Sequence, residues 1–176
     1  MGDITEHFDR KEFKCPCCGK SEISTDFVKR LEDVFSYLKK CEHGCKYIII
    51  TSGYRCSSNS AAVGGYKNDM HTKGRAADWY CIGDDGYKYK SKELAAVCEV
   101  HGFGGIGVNL NGDNEGICVH CDDRENGGYS NCHWYGDEQT NANYSSFMVY
   151  LPAAKIINKH KISVFFDGKK ISESEV

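Results

Sequence analysis

The chain has 176 residues, 40% of them hydrophobic and 27% charged, with a formal net charge of −3. That composition and length fit one globular domain with its own core. The mild negative charge, without a basic run, argues against a nucleic-acid partner, and no apolar stretch approaches the roughly 20 residues of a membrane span.

The opening "MGDITEHFDRKEF" has no basic segment followed by an apolar one, so the expectation is a chain made in the cytoplasm without a signal peptide. Eleven cysteines are an odd number and cannot all pair within one chain. In that compartment thiols stay reduced, and some of them bind zinc.

In chain order, "STDFVKRLEDVFSYLKK" predicts the first helix. Phe27, Leu31, Val34, Phe35 and Leu38 recur at helical spacing, Ser24 or Thr25 serves as cap, and Asp26 suits the first turn. "KYIIIT" (46–51) predicts a buried strand. "SSNSAAVGG" (57–65) predicts a short helical turn, and "RAADWYCI" (75–82) a strand. "SKELAAVCEVHG" (91–102) predicts a second long helix, with Ser91 as cap and Gly102 past its end. "GGIGVNL" (104–110) and "GICVHCD" (116–122) predict two strands joined by a polar turn. "KISVFFDGKKIS" predicts a C-terminal hairpin turning at Asp167-Gly168. Helices and antiparallel strands mix without βαβ regularity, which points to α+β.

The chemistry-bearing residues gather in the middle. In "NDMHTKGRAADWY", His71 and Asp78 lie on either side of Gly74. An imidazole and a carboxylate are zinc ligands, and a catalytic zinc needs three protein ligands with one position open. His120 in "ICVHCDD" is the candidate third. On a strand Cys118, His120 and Asp122 share a face, placing an acid beside a metal ligand as proton transfer requires. Arg55 in "TSGYRC" follows a buried strand, where its fork of donors suits a carboxylate or a developing oxyanion; the alternative is a structural arginine paired to a core acid. The glycines of "GFGGIG" either allow close approach of an extended peptide or make tight turns. His133-Trp134 either borders the cleft or packs on its rim.

Cys15, Cys17 and Cys18 in "CPCC", and Cys41 and Cys45 in "CEHGC", bracket the first helix. Four thiolates drawn from these five are candidate ligands of a second, structural zinc. The alternatives are reduced buried thiols, or one or two disulfides.

The order "SGYRCSSN", "AVGGYKNDMHTKGRAADWY", "GFGGIGV" and "VHCD" resembles the LAS metallopeptidases, zinc peptidases that include D-Ala-D-Ala carboxypeptidases and phage L-Ala-D-Glu endopeptidases and share the hedgehog fold. The family pattern S-x-H-x-x-G-x-A-x-D falls on His71, Gly74, Ala76 and Asp78, with His120 downstream. "HFDRKEFKCPCCGK" is similar to the usual opening of bacterial members. Two positions depart from the pattern. Asp69 replaces the serine, and Ile117 stands where many members carry an acid three residues before the last histidine.

The resemblance implies zinc on His71, Asp78 and His120, Arg55 as substrate or transition-state ligand, and a single α+β domain whose mostly antiparallel sheet is flanked by helices. Asp122 is the first candidate for the general base, Glu115 the second, and Asp113 or no side chain at all the remainder. The peptidase domain is expected over 1–137, with 138–176 as a C-terminal extension, either a hairpin on the sheet edge or a partner-binding appendage. The expected function is a monomeric zinc peptidase of bacterial peptidoglycan stem peptides, either carboxypeptidase or endopeptidase, acting on the cell wall as a phage or prophage lysin. The rival is a metal-bearing structural or binding protein without turnover.

Overall fold

In the computed structural model the first helix, α1, runs Thr25–Leu38, and the Ser24 side chain accepts the Phe27 N–H at 3.4 Å. This satisfies one of the donors that every helix start leaves open. The apolar stripe read from the sequence is inside: Phe27, Leu31, Val34 and Leu38 have no exposure, Phe35 is buried, and Val28 joins them. Burying a side chain such as Leu31 stabilises the fold by about 1.5–3 kcal/mol. The structure describes residues 2–108, 116–127, 131–136 and 146–155, and the backbone of 161–166 and 169–175.

Strand β1 (Tyr47–Ser52) is followed by the short helix α2 (Ser57–Ala62), strand β2 (Ala76–Ile82), helix α3 (Ser91–Val100), and strands β3 (Gly105–Val108), β4 (Val119–Asp122) and β5 (Cys132–Tyr135). These strands form one sheet in the order β1-β2-β4-β3-β5. Neighbours are antiparallel except β3 and β5, which are parallel. The chain is α+β, as its sequence predicts. Strand β5 has no counterpart in the sequence reading. The cap of α3 is Lys90, with Ser91 buried inside the helix.

Alternation divides the sheet into two faces. Ala77, Trp79 and Cys81 of β2, Ile106 and Val108 of β3, and Val119 and Cys121 of β4 enter the core with α1 and α3. The Trp79 indole N–H donates to Cys121 Sγ at 3.2 Å, satisfying its polar atom inside that core. The opposite face receives Ala76 and Asp78, Gly105 and Gly107, and His120 and Asp122. The register aligns these into cross-strand rows. One row reads Ser52, Asp78, His120, Gly107, Trp134; the next reads Ala76, Asp122, Gly105, Cys132.

Residues beyond the sheet fold back onto the same body. The Phe147 N–H donates to Glu99 Oε2 at 2.7 Å, Phe147 is buried, and Ala154 bridges Cys41. Strands β6 (Lys161–Phe166) and β7 (Lys169–Glu175) pair antiparallel as a separate two-stranded sheet, not as added strands of the larger one. The Asp167-Gly168 turn lies outside the described residues, as do Asp113 and Glu115.

Candidate active site

Because Asp78 and His120 are direct partners across β2 and β4, their side chains emerge side by side. His120 Nδ1 lies 2.7 Å from Asp78 Oδ1. His71 arrives from the turn before β2. Within that turn the Gly74 N–H donates to the His71 carbonyl at 3.1 Å, and Gly74 takes φ +65°. A Cβ at Gly74 would strike the Glu22 carbonyl, so this position needs glycine for both shape and space. Asp69, which stands where the resembling pattern has serine, accepts the Thr72 N–H at 2.8 Å and the Ser60 hydroxyl. It therefore ties the histidine turn to α2.

The second nitrogen of each imidazole is already engaged. The Gly53 carbonyl can only accept, so His71 Nδ1 carries the proton and donates at 2.7 Å. That leaves Nε2 facing inward, 3.2 Å from His120 Nδ1 and 3.4 Å from Asp78 Oδ1. On the far side of its ring, His120 Nε2–H donates to Asp122 Oδ2 at 3.1 Å. His71, Asp78 and His120 are 2%, 8% and 7% exposed, and their donor atoms all lie within 4.8 Å of one another.

This donor set fits zinc. Ligands about 2.0–2.1 Å from a tetrahedral ion stand about 3.3 Å apart; His71 Nε2 lies 3.2 and 3.4 Å from the other two donors, and the 2.7 Å His120–Asp78 hydrogen bond would open to admit the ion. Ligating histidines characteristically donate their other N–H to a carbonyl or carboxylate, as both do here.

Electrostatics follow from this crowding. Burial opposes charge on His120, but hydrogen bonds to Asp122 and Asp78 outweigh it and push its pKa up to about 9. Burial likewise opposes charge on Asp78, and its contacts with His71 and His120 hold it well below the usual carboxylate range. Asp122 is also depressed: burial raises it, and His120 and Arg124 more than compensate. Without metal, a proton on His120 Nδ1 bridges the atoms that would otherwise be ligands.

Asp122 does not have the surroundings expected of a base. It is fully buried. Its Oδ1 accepts from the Arg124 backbone N–H and Nε, both at 2.9 Å, and its Oδ2 accepts from the Arg124 guanidinium at 2.7 Å as well as from His120. The strand alternation does bring Asp122 to the metal-facing side, but Arg124 and the rim of His120 occupy its lone pairs. Sequence reasoning did not single out Arg124; its only signal is an arginine two residues beyond the H-x-D pair.

Arg55 also borders the cluster, with a guanidinium nitrogen 3.9 Å from Asp78 Oδ2, too long for a hydrogen bond. Its Nε is buried and has no hydrogen-bond partner among the described residues. Trp134 covers the other flank. Its ring centroid is 5.0 Å from that of His120, and the Arg124 guanidinium lies 5.1 Å over it. The glycines of β3 make room for these groups. A Cβ at Gly105 would strike Asp122 and Arg124, and one at Gly107 would meet the Trp134 ring. Their role is therefore neither turn nor substrate approach.

The five cysteines bracketing α1 do not come together. Cys41 Sγ donates to the Tyr37 carbonyl at 3.6 Å, and Cys45 Sγ contacts Cys81 Sγ at 3.1 Å inside the core. Cys15 and Cys18 instead meet Cys56.

A buried pair of histidines and one carboxylate on the sheet face opposite the core is a donor set that could hold a metal ion, of the kind catalytic zinc sites use. The model of the family described as Peptidase M15 matches residues 6–122, which is 117 of the 176 residues, and the chain belongs to that family of zinc peptidases. The match takes in every element from the first turn to β4, including all three clustered residues. No curated protein matches the chain. No helix among the described residues is long and apolar enough to cross a membrane.

Proposed function

We propose that this peptidase uses zinc on His71, Asp78 and His120 to hydrolyse a peptide bond of bacterial peptidoglycan stem peptides, as a carboxypeptidase or an endopeptidase. The observation that carries the reading is the convergence of His71 Nε2, His120 Nδ1 and Asp78 Oδ1, with the other nitrogen of each histidine already bonded. Bound there, zinc supplies a Lewis acid for the scissile carbonyl and makes water acidic enough to attack near neutral pH.

The chain's own residues do the rest. Gly53 and Asp122 hold the two imidazoles in the tautomers that turn one bare nitrogen each toward Asp78. Arg55 offers its unpartnered Nε beside the cluster, where a substrate carboxylate or the developing oxyanion would take it. Trp134 and the Asp122–Arg124 pair wall one side of the site against bulk water. Asp122 is a positioning residue in this reading, because its lone pairs are spent. The proton-transfer role passes to Glu115, the acid nearest β4 in the connection from β3, ahead of Asp113.

Defined muropeptides digested by the purified chain, with products weighed by mass spectrometry, test the function. Loss of one terminal D-Ala identifies a carboxypeptidase, and a split between L-Ala and D-Glu an endopeptidase. Both must stop on zinc chelation and return on zinc addition. A zinc-loaded chain that cleaves no stem peptide would favour the binding-protein rival. Action on the cell wall as a lysin follows only from a positive digest.

A further inference from the structure

Away from the histidine cluster, residues 15–20 form a tight knuckle. The Cys15 N–H donates to the Lys20 carbonyl at 2.8 Å, the Gly19 N–H donates back to the Cys15 carbonyl at 2.9 Å, and Gly19 takes φ +70°. This brings the two sulfurs of the C-x2-C pair Cys15 and Cys18 to one side. Cys56, forty-one residues from Cys15, closes on them. Its Sγ is 3.7 Å from Cys15 Sγ, and the three sulfurs all lie within 4.8 Å of one another. A fourth thiol, Cys17, is exposed on the same knuckle and stands outside this set of three.

We propose that Cys15, Cys18 and Cys56, with Cys17 as the fourth sulfur, bind a second zinc ion that is structural. Sulfurs about 2.3 Å from a tetrahedral zinc stand about 3.8 Å apart, which the Cys15–Cys56 separation matches; a disulfide needs about 2.05 Å. Three soft thiolates within 4.8 Å of one another, with a fourth thiol on the same knuckle, select zinc over hard cations. The Cys56 backbone N–H donates to the Cys15 sulfur at 3.4 Å, which ties the two chain segments together at the sulfurs.

The placement gives the ion a purpose. Cys56 directly follows Arg55 and lies three residues after Gly53, whose carbonyl orients His71. The Tyr54 N–H donates to the Phe13 carbonyl at 2.9 Å, so the opening segment already lies along this turn. A metal on the four sulfurs would lock the opening segment to the stretch that carries Arg55 and the Gly53 carbonyl.

The test is metal content and cobalt spectroscopy on the full chain purified under reducing conditions. The expected result is two zinc ions per chain, one in His71→Ala and one in Cys18→Ser. His71→Ala reloaded with cobalt should show the near-ultraviolet sulfur-to-cobalt charge-transfer band and the intense visible bands of tetrahedral thiolate cobalt. Because that variant keeps every cysteine, the reading survives even if the cysteine variants fail to fold. It needs no substrate, so it stands or falls separately from the peptidase reading. A single zinc that disappears with His71→Ala, no thiolate band on cobalt loading, or a mapped disulfide among the four cysteines would each overturn the second site.

Discussion

His120 sits between two carboxylates, and each does a different job. Asp78 faces the nitrogen that would bind metal; Asp122 takes the N–H on the other edge of the ring. In Asp122→Asn the amide can still accept that N–H, but it brings no charge to Arg124 or to the ring. We expect zinc affinity to fall by about 10–100-fold, as for other outer partners of metal-binding histidines, with turnover of the zinc-saturated variant largely kept. Affinity measured by competition with a chromogenic chelator separates the readings. Intact affinity with a loss of about 10²–10⁴ in kcat would return the base role to Asp122. Arg55→Lys keeps the charge and loses the fork. The expected cost is about 10²–10³ in kcat/KM on a cleaved muropeptide, with unchanged zinc content. Near-normal kcat/KM would make Arg55 structural. The grouping of His71, Asp78 and His120 could be read from the sequence through the family pattern it resembles, while period-two alternation and a glycine-centred turn, being local rules, set only the face each residue takes. The occupation of Asp122 could not, because it depends on which edge of an imidazole faces which strand and on Arg124 folding back over its own strand. The partners of Cys15 were misread for a similar reason. Nearness along the chain favoured Cys41 and Cys45, whereas β1 delivers Cys56.

At the scale of elements, β3 is the strand whose glycines the site depends on. Gly105 and Gly107 lie in the rows of Asp122 and His120, and both face groups that occupy the space a side chain would fill. Gly105→Ala forces its methyl into the Asp122–Arg124 pair. We expect a loss of about 1–3 kcal/mol in unfolding free energy, the usual cost of overpacking. The loss should persist after chelation, because the clash does not involve metal, and zinc affinity should fall with it. Parent-like stability in urea would mean that the pair can shift freely and does not hold His120. The long helices and β1, β2 and β4 were legible because each has an apolar stripe or run of its own. Strand β5 was not: "CHWY" is four residues long, lies in polar sequence, and joins β3 in parallel, a pairing fixed by the distant strand and not by its own pattern. The lysine cap of α3 was missed because the preference for serine put Ser91 outside a helix that in fact buries it.

For the whole molecule, the site couples metal, proton and stability. In the metal-free chain the folded pKa of His120 is raised to about 9, from an ordinary value of about 6.5. Its contribution to stability is therefore fully present below about pH 6.5 and is lost as pH rises through about 9. Asp78 and Asp122 are shifted the other way. Their contributions are present above the ordinary aspartate value of about 3.9 and are lost as pH falls below it. The metal-free chain is then most stable in mildly acidic solution and weakens on the alkaline side. Zinc reverses that trend, because it must displace the His120 Nδ1 proton. Below about pH 9, each unit of acidification should cost about tenfold in affinity for the proton released. Since a ligand that binds only the folded state stabilises it in proportion to the logarithm of its occupancy, the gap in Tm between zinc-loaded and chelated protein should widen steadily from pH 6 to pH 9. Thermal unfolding across that range, at fixed free zinc, measures it. The cysteine site must be held constant for the comparison, so the chelated state is best represented by His71→Ala, which keeps all four sulfurs. A gap that stays flat with pH would mean that no proton leaves His120 when zinc binds, and that its Nδ1 is already bare in the metal-free chain.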